Sequence, residues 1–357
     1  VLWSGFGVSF LFGALAQRTH FCTMGAISDV VYSGNWQRAN QWLLAIAFAC
    51  LGVGLLQANN LIEPERASSI SSRLNWLSDG IGGLMFGVGM VLSSGCGAKM
   101  LVRLGAGNLK SLLVLLVMGI SSFATLKGLT AVIRVTTVDR IFWDASFDLT
   151  LPNWLHHILG ITMPFEWVAI LVAAALILSV LSNSQGKKAS VWLIGIGMGA
   201  LVCLAWLLSG HLGHITEHPE TLEDVFIKTN TNRMEAFTFV APVAYLLDWL
   251  IYFSDSNKSL TIGILSVFGV SLGAHLSARW SGSFKWESFA NATDFKTHLV
   301  GAVLMGVGGV TAMGCTFGQG LSGLSVLSLN AMIAVPFMVI GALLGLMYQQ
   351  WVIERNA

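Results

Sequence analysis

Seven long stretches of this chain contain no charged residue: 1–17, 39–62, 80–98, 167–186, 189–216, 259–278 and 297–353. A helix of about 20 apolar residues crosses a hydrocarbon core of about 30 Å. In lipid, only helices and closed barrels satisfy their own backbone groups. Because these stretches lack the two-residue alternation of a barrel strand, they predict an all-α polytopic membrane protein, with residues 1–357 forming one transmembrane domain.

The composition excludes several classes of protein. Hydrophobic residues make up 55% of the chain and charged residues 10%, with a mean hydropathy of +0.73, whereas a soluble domain has about 25% charged residues. The 19 basic and 18 acidic residues nearly cancel, so no basic surface can neutralise a row of phosphates. A GxxxxGK[ST] motif is absent, so we expect no nucleotide hydrolysis. A soluble enzyme, a disordered protein and a nucleic-acid binder are excluded.

Ten segments are predicted to enter the membrane: 1–17, 41–57, 80–95, 109–126, 166–182, 190–208, 236–253, 260–279, 297–314 and 331–350. We expect some of the glycine-rich ones to be half-helices that enter and return. The basic segments 97–110 and 183–190 are predicted to be cytoplasmic, because short cytoplasmic loops are enriched in Lys and Arg. The acidic segment 211–235 then lies on the opposite side. The first segment shows no cleavable signal pattern, so we expect it to direct its own insertion.

An internal repeat relates the two halves of the chain, roughly 1–182 and 190–357. When Cys96 is placed on Cys315, an offset of 219 residues, four glycines coincide with four others. These pairs are Gly82 with Gly301, Gly87 with Gly306, Gly89 with Gly308 and Gly95 with Gly314. Duplicated halves are typical of transporters, whose substrate sites lie where broken helices meet at the bilayer midplane. At the position of Cys22 the second half is predicted to have Ser283.

Three of the five cysteines stand at predicted interruptions of apolar helices. A neighbouring glycine lets the backbone leave a helix without a Cβ penalty, and non-helical backbone at membrane depth is tolerated where it lines a cavity. Each thiol would lie at a helix end, where free N–H groups favour an anion. The candidate pathway residues are Cys22, Cys96, Cys315, Gly95, Gly97 and Gly314.

The remaining thiols, Cys50 and Cys203, lie inside plain apolar helix, where a buried cysteine packs as a small hydrophobe. No CxxC pair occurs, and an odd, scattered set of cysteines is no disulfide framework.

The charge of the cargo decides how the three candidate thiols can act. Sulfur-bearing anions and soft metals both match cysteine sulfur. A thiolate about 4 Å from a dianion is repelled by about 8 kcal/mol at an effective dielectric constant of about 20, and burial also disfavours the thiolate. For an anionic cargo the thiols are therefore expected to be neutral hydrogen-bonding groups. Arg18 and Arg103 are candidates to offset the charge of the anion, with snorkelling to the interface as the alternative role.

Three motifs in order resemble the YeeE/YedE family of bacterial inner-membrane proteins. They are Gln17-Arg18-x-x-Phe21-Cys22, Ser93-Ser94-Gly95-Cys96 followed by Arg103-Leu104-Gly105, and Met313-Gly314-Cys315-Thr316-Phe317-Gly318-Gln319-Gly320. The resemblance implies a multi-pass, hourglass-like bundle of about nine spanning helices plus short re-entrant helices. It also implies uptake of thiosulfate or a related sulfur anion, passed between Cys22, Cys96 and Cys315 by S–H···S hydrogen bonds. No cofactor is implied, and a small cytoplasmic TusA-like sulfurtransferase is the expected partner.

Several alternatives remain at this stage. The cargo could be another sulfur compound or a selenium compound. A membrane sulfurtransferase would hold a persulfide on one cysteine, with His20 as a nearby base for Cys22. A Cu(I) channel would use the 13 Met and 5 Cys residues as soft ligands. His211, His214 and His218 fit no zinc spacing, and we interpret them as part of a solvated loop.

Overall fold

The computed structural model describes residues 1–217, 222–255 and 258–356 and is 72% helical. The α-helices within these ranges are α1 (Leu2–Thr19), α2 (Thr23–Ser33), α3 (Gln37–Ala58), α4 (Trp76–Leu92), α5 (Gly97–Gly105), α6 (Leu109–Lys127), α7 (Leu129–Thr136), α8 (Leu151–Leu159), α9 (Phe165–Ser182), α10 (Ala189–Leu207), α11 (Val240–Ile251), α12 (Ile262–Trp280), α13 (Ala292–Thr311) and α14 (Leu329–Asn356). Single 3-10 turns lie at Pro64–Arg66, Val138–Arg140 and Ser184–Lys187, and π-helical turns at Leu208–Leu212 and Gly318–Gly323. Two short antiparallel ladders, β1 (Arg73–Leu74) with β2 (Trp143–Asp144) and β3 (His214–Ile215) with β4 (Val225–Phe226), lie in the loops.

The fold is an all-α polytopic membrane protein, which confirms the prediction from the uncharged stretches. Among the described residues, seven segments are long and apolar enough to cross a membrane: Gln37–Ala58, Trp76–Gly105, Leu109–Lys127, Phe165–Ser182, Ala189–Leu212, Ile262–Trp280 and Leu329–Arg355. Helices α1 and α13, with 18 and 20 residues, have spanning length but carry more polar residues. All ten segments predicted to enter the membrane coincide with a helix.

Helix α11 is the exception among the ten, because it is too short to cross. Its 12 residues span about 18 Å, against the roughly 30 Å of a hydrocarbon core. Gly119, in the middle of α6, lies against Val243 and Leu247, whereas Lys127, at the end of α6, forms an ion pair with Asp248. The segment before α11 therefore enters the membrane, and α11 returns to the side from which the segment came.

The helix packing defines two faces of the bundle. Helices α1 and α12 run parallel, with Gly5 beside Ile262 and Gly13 beside Val270. Helices α4 and α13 run antiparallel. We call face A the side on which α1, α4, α9, α12 and α14 begin, and face B the side on which α3, α6, α10 and α13 begin. The basic segments 97–110 and 183–190 lie toward face B, and the described residues of the acidic segment, 211–217 and 222–235, lie toward face A.

Candidate functional site

Cys96 and Cys315 follow the same backbone turn at the ends of two long helices. Helix α4 ends at Leu92 and α13 at Thr311, and in both the next-but-one residue is left-handed, with φ 59° at Ser94 and 54° at Met313. The hydrogen bonds also match at an offset of 219 residues. Gly95 N–H donates to Met90 O (2.7 Å) as Gly314 N–H does to Gly309 O (2.8 Å), and Cys96 O and Cys315 O accept from Met100 N–H (2.9 Å) and Gln319 N–H (2.7 Å). Each cysteine therefore leaves its turn at the start of a new helical segment.

Cys22 reaches a similar position by a different turn. Helix α1 ends in a left-handed residue, His20 (φ 53°), and Cys22 is the N-cap of α2. Its Sγ accepts a hydrogen bond from Gly25 N–H at 3.4 Å, and Cys315 Sγ accepts one from Gly318 N–H at the same distance. Cys96 is the N-cap of α5 without such a side-chain bond. All three sulfurs thus lie at the N-terminal ends of helical segments, where the backbone carries partial positive charge.

The structure brings these three thiols into one buried region. Cys22 is 5% exposed, Cys96 and Cys315 are fully buried, and all three are free of disulfides. Cys22 and Cys315 both lie within electrostatic range of Cys96. The Thr316 hydroxyl faces the Cys96 thiol, and Thr238 Oγ1 lies 3.9 Å from Cys315 Sγ. This arrangement can offer weak S–H donors and polarizable sulfur acceptors at successive points.

Cys50 and Cys203 are placed differently. Cys50 Sγ donates to Leu324 O at 3.4 Å, and Cys203 Sγ lies 3.6 Å from Ala49 O and 3.8 Å from Phe48 O. Both thiols are therefore engaged by backbone carbonyls within the packing of α3. They serve as natural controls for the three candidate thiols.

A group of packed aromatic side chains links the chain around Cys22 with the chain around Cys315. The Phe317 ring lies 5.2 Å from that of Phe12, 5.0 Å from Trp42 and 5.7 Å from Phe239, measured between centroids. Phe21, next to Cys22, stacks on Trp42 at 4.8 Å. All five rings belong to the buried cluster that also contains Cys96 and Cys315.

A cavity of about 270 Å³ lies at face A above Cys315. Its lining includes Thr238, Gly314 and Gly318, the residues that contact or adjoin the Cys315 thiol. We call it the face-A cavity. Arg134 also lines it and forms an ion pair with Asp139 at 2.6 Å. The cavity therefore has room for a small anion close to the Cys315 sulfur.

Glu235 is the acidic residue of the face-A cavity. Its Oε1 accepts hydrogen bonds from Asn230 N–H at 3.0 Å and from Thr231 N–H at 2.9 Å. The carboxyl group thus holds the re-entrant segment in place.

Of the two arginines named from the sequence, only Arg103 lies at the turns. Its guanidinium donates to Ser94 O at 3.2 Å and lies 3.9 Å from Glu287. Arg18 is exposed at the end of α1 and has no ion-pair partner within the described ranges. Sequence reasoning missed Lys99, which lies in the first turn of α5 within electrostatic range of both Cys22 and Cys96. Its position three residues after Cys96 was the available signal.

The candidate glycines differ in how strictly they are required. Gly95 has φ 156°, a conformation that favours glycine, and a Cβ there would lie 2.8 Å from Met100 Cε. At Gly97 a Cβ would lie 3.3 Å from Met118 Cε, and at Gly314 it would lie 3.1 Å from Gln319 Cγ. Only Gly95 is thus required by its backbone conformation as well as by space.

The two described histidines of the acidic segment, His211 and His214, have different surroundings. His214 Nε2 lies 2.7 Å from Asp224 Oδ1, and its ring stacks on Phe226. His211 is exposed, and His218 lies outside the described residues. Within the described part of the chain, no three His, Cys, Asp or Glu side chains are placed to hold a metal ion.

Buried thiols beneath a cavity, in a bundle of spanning helices, define a membrane transport protein. The chain matches the model of the Sulphur transport family over residues 18–344, and it belongs to that family. It is 29% identical over 352 residues to the thiosulfate transporter TsuA of Spirochaeta thermophila, covering 96% of this chain and 97% of the relative. It is 25% identical over 355 residues to the thiosulfate transporter TsuA of Escherichia coli, covering 96% and 92%.

Proposed function

We propose that this protein takes up thiosulfate across the bacterial inner membrane through the three buried thiols. The relatives named thiosulfate transporters match nearly the whole chain, which supports the cargo. The single observation that carries the proposal is the placement of Cys22, Cys96 and Cys315, free and buried in one region below the face-A cavity.

The charge distribution supports transport from face A to face B. Lys99, Arg103, Lys110, Lys187 and Lys188 lie on segments toward face B, and cytoplasmic segments are enriched in Lys and Arg. Thiosulfate would enter the face-A cavity, pass Cys315, then Cys96 and Cys22, and leave toward the cytoplasm. A small TusA-like sulfurtransferase at face B is the proposed acceptor, and membrane lipid surrounds the bundle.

The thiols act as neutral groups in this proposal. Two negative charges on thiosulfate would repel a thiolate about 4 Å away by about 8 kcal/mol at an effective dielectric constant of about 20. A neutral S–H can donate to the terminal sulfur of thiosulfate, and the cysteine sulfur can accept elsewhere. The anion therefore moves between successive weak hydrogen bonds and forms no covalent bond.

The test is uptake of labelled thiosulfate into proteoliposomes by single Cys→Ser variants. Substitution at 22, 96 or 315 is expected to abolish uptake, because the polarizable sulfur is lost. The same substitution at Cys50 or Cys203 is the matched control and should leave uptake intact. Full uptake by a variant with serine at all three positions would refute the relay. Sulfate, sulfite and selenite, tested in parallel, define the cargo.

The same preparation separates transport from a sulfurtransferase reaction. A persulfide on a cysteine adds one sulfur atom, about 32 Da, to the protein. Intact-protein mass spectrometry during uptake is expected to show no such addition. A stable adduct on Cys22, Cys96 or Cys315 would instead indicate covalent sulfur transfer.

A further inference from the structure

Three buried polar groups lie beside the thiols without a well-formed hydrogen bond. Within the described residues, Thr23 Oγ1 and Trp42 Nε1 have no hydrogen-bond partner. Thr316 Oγ1 meets only the Cys96 thiol, a weak partner, without good hydrogen-bond geometry. A buried donor left unpaired costs about 1–3 kcal/mol. Native proteins keep few such groups, and each calls for an explanation.

These three residues line one cavity. It has a volume of about 50 Å³, and Ile27, Met90 and Met338 contribute to its otherwise apolar wall. A single water needs about 10–15 Å³ of such space, so the cavity holds roughly three to five water-sized groups. That is the size of a tetrahedral anion with four atoms around a central sulfur.

Two residues of the cavity wall are chain neighbours of candidate thiols, although none of the three cysteines lines the cavity itself. Thr23 follows Cys22 in the chain, and Thr316 follows Cys315. The Thr316 hydroxyl also faces the Cys96 thiol. Trp42 is fixed from both sides, since its ring lies 4.8 Å from that of Phe21 and 5.0 Å from that of Phe317. The indole N–H therefore has little freedom to find another partner.

We infer that Thr23, Trp42 and Thr316 form an uncharged subsite for the oxygen atoms of a sulfur oxyanion. The two hydroxyls and the indole N–H would donate to the SO₃ group, while the thiols contact the terminal sulfur. Neutral donors suit a transport pathway because they hold an anion less tightly than a fixed cationic side chain would. The anion can then leave the subsite without breaking an ion pair. The inference rests on the proposed function, since it assigns a second set of contacts to the same cargo.

The experiment compares Thr316→Val with Thr316→Ser in detergent-solubilised full-length protein. Without ligand, the valine variant should melt close to the wild-type temperature, because the hydroxyl it loses meets only the weakly hydrogen-bonding Cys96 thiol. Added thiosulfate should raise the melting temperature of the wild type and of the serine variant, but much less that of the valine variant. Hydrogen bonds to charged groups contribute about 1.5–3 kcal/mol, so the Kd for thiosulfate should rise at least about tenfold in the valine variant.

A matched control removes a hydroxyl that already has a partner. Thr311 is buried and its Oγ1 donates to Val307 O at 2.8 Å. Thr311→Val should leave the Kd for thiosulfate unchanged. Trp42→Phe, which removes the indole N–H, should weaken binding in the same direction as Thr316→Val.

The outcomes separate the two proposals. If thiosulfate does not stabilise the wild type but sulfite or sulfate does, the cargo is wrong, and the valine and serine variants are then compared with that oxyanion. If thiosulfate stabilises the wild type and Thr316→Val equally, the subsite is wrong while the cargo stands. A serine variant that binds as weakly as the valine variant would also overturn the subsite.

Discussion

Substitution of Gly95 by alanine tests whether the turn before Cys96 depends on its backbone conformation. Gly95 has φ 156°, and such a conformation costs a residue with a side chain about 1–3 kcal/mol. The added Cβ would also lie 2.8 Å from Met100 Cε and 2.9 Å from Lys99 Cγ. These side chains can move, so we assign the main cost to the backbone. The ratio of folded to unfolded protein should fall about 5- to 150-fold, since about 1.4 kcal/mol corresponds to tenfold.

The matched control is Gly314→Ala, at the corresponding position before Cys315. Gly314 is not among the residues with positive φ, and a Cβ there would lie 3.1 Å from Gln319 Cγ, so the cost should be smaller. Equilibrium unfolding in mixed micelles gives both free energies, and thiosulfate uptake reports whether Cys96 and Lys99 stay in place. If Gly314→Ala destabilises the protein as much as Gly95→Ala, the conformational argument is refuted.

Three further predictions concern other parts of the molecule. Asp79 is fully buried and neither carboxylate oxygen has a partner in the described structure. Asp79→Asn should therefore unfold within about 1 kcal/mol of wild type, because no ion pair or hydrogen bond is lost, and a loss of several kcal/mol would show that the charge is needed. A Cβ at Gly13 would lie 2.1 Å from a backbone oxygen of α12, whereas one at Gly7 meets nothing within 4 Å; Gly13→Ala should lower the melting temperature clearly and Gly7→Ala should not. Arg66 holds the pKa of Asp224 below its usual range. This ion pair therefore stabilises the segment around Asp224 above about pH 4, and the contribution is lost as the pH falls through the lowered pKa of Asp224. Limited proteolysis should cut wild type near Asp224 only in strong acid, but should cut Asp224→Asn already at pH 7.

The long helices were predictable because burial in lipid leaves a direct mark on the sequence. Every predicted segment became a helix, since uncharged runs of this length have no other stable form in a membrane. The short helices α7 and α8 were not predicted, because they lie in a polar stretch with no clear period. The extent of α11 was overestimated, since an apolar sequence does not show where the chain turns back.

The candidate site was only partly predictable. Glycine next to Cys96 and Cys315 marks a break that the backbone confirms with matched hydrogen bonds. The part played by Trp42 and Thr316 was hidden, because an aromatic or threonine in an apolar helix usually indicates packing. In the second half of the chain, Ser283 N–H donates to Ala278 O in the same way that Phe21 N–H donates to Ala16 O. Ser283 therefore corresponds to Phe21, and the residue that corresponds to Cys22 is Phe284, one position after the predicted Ser283.

The two matched turns differ in one respect that bears on the membrane voltage. At the offset of 219 residues, Lys99 corresponds to Gly318 and Arg103 to Ser322, so only the turn toward face B is cationic. A dianion entering a cell with a negative interior climbs about 4.6 kcal/mol per 100 mV, twice the value for a single charge. In the proposed direction of transport, from face A to face B, the fixed charges leave that total unchanged. They lower the potential energy of the anion in the second half of the crossing, where most of the opposing membrane potential has been crossed.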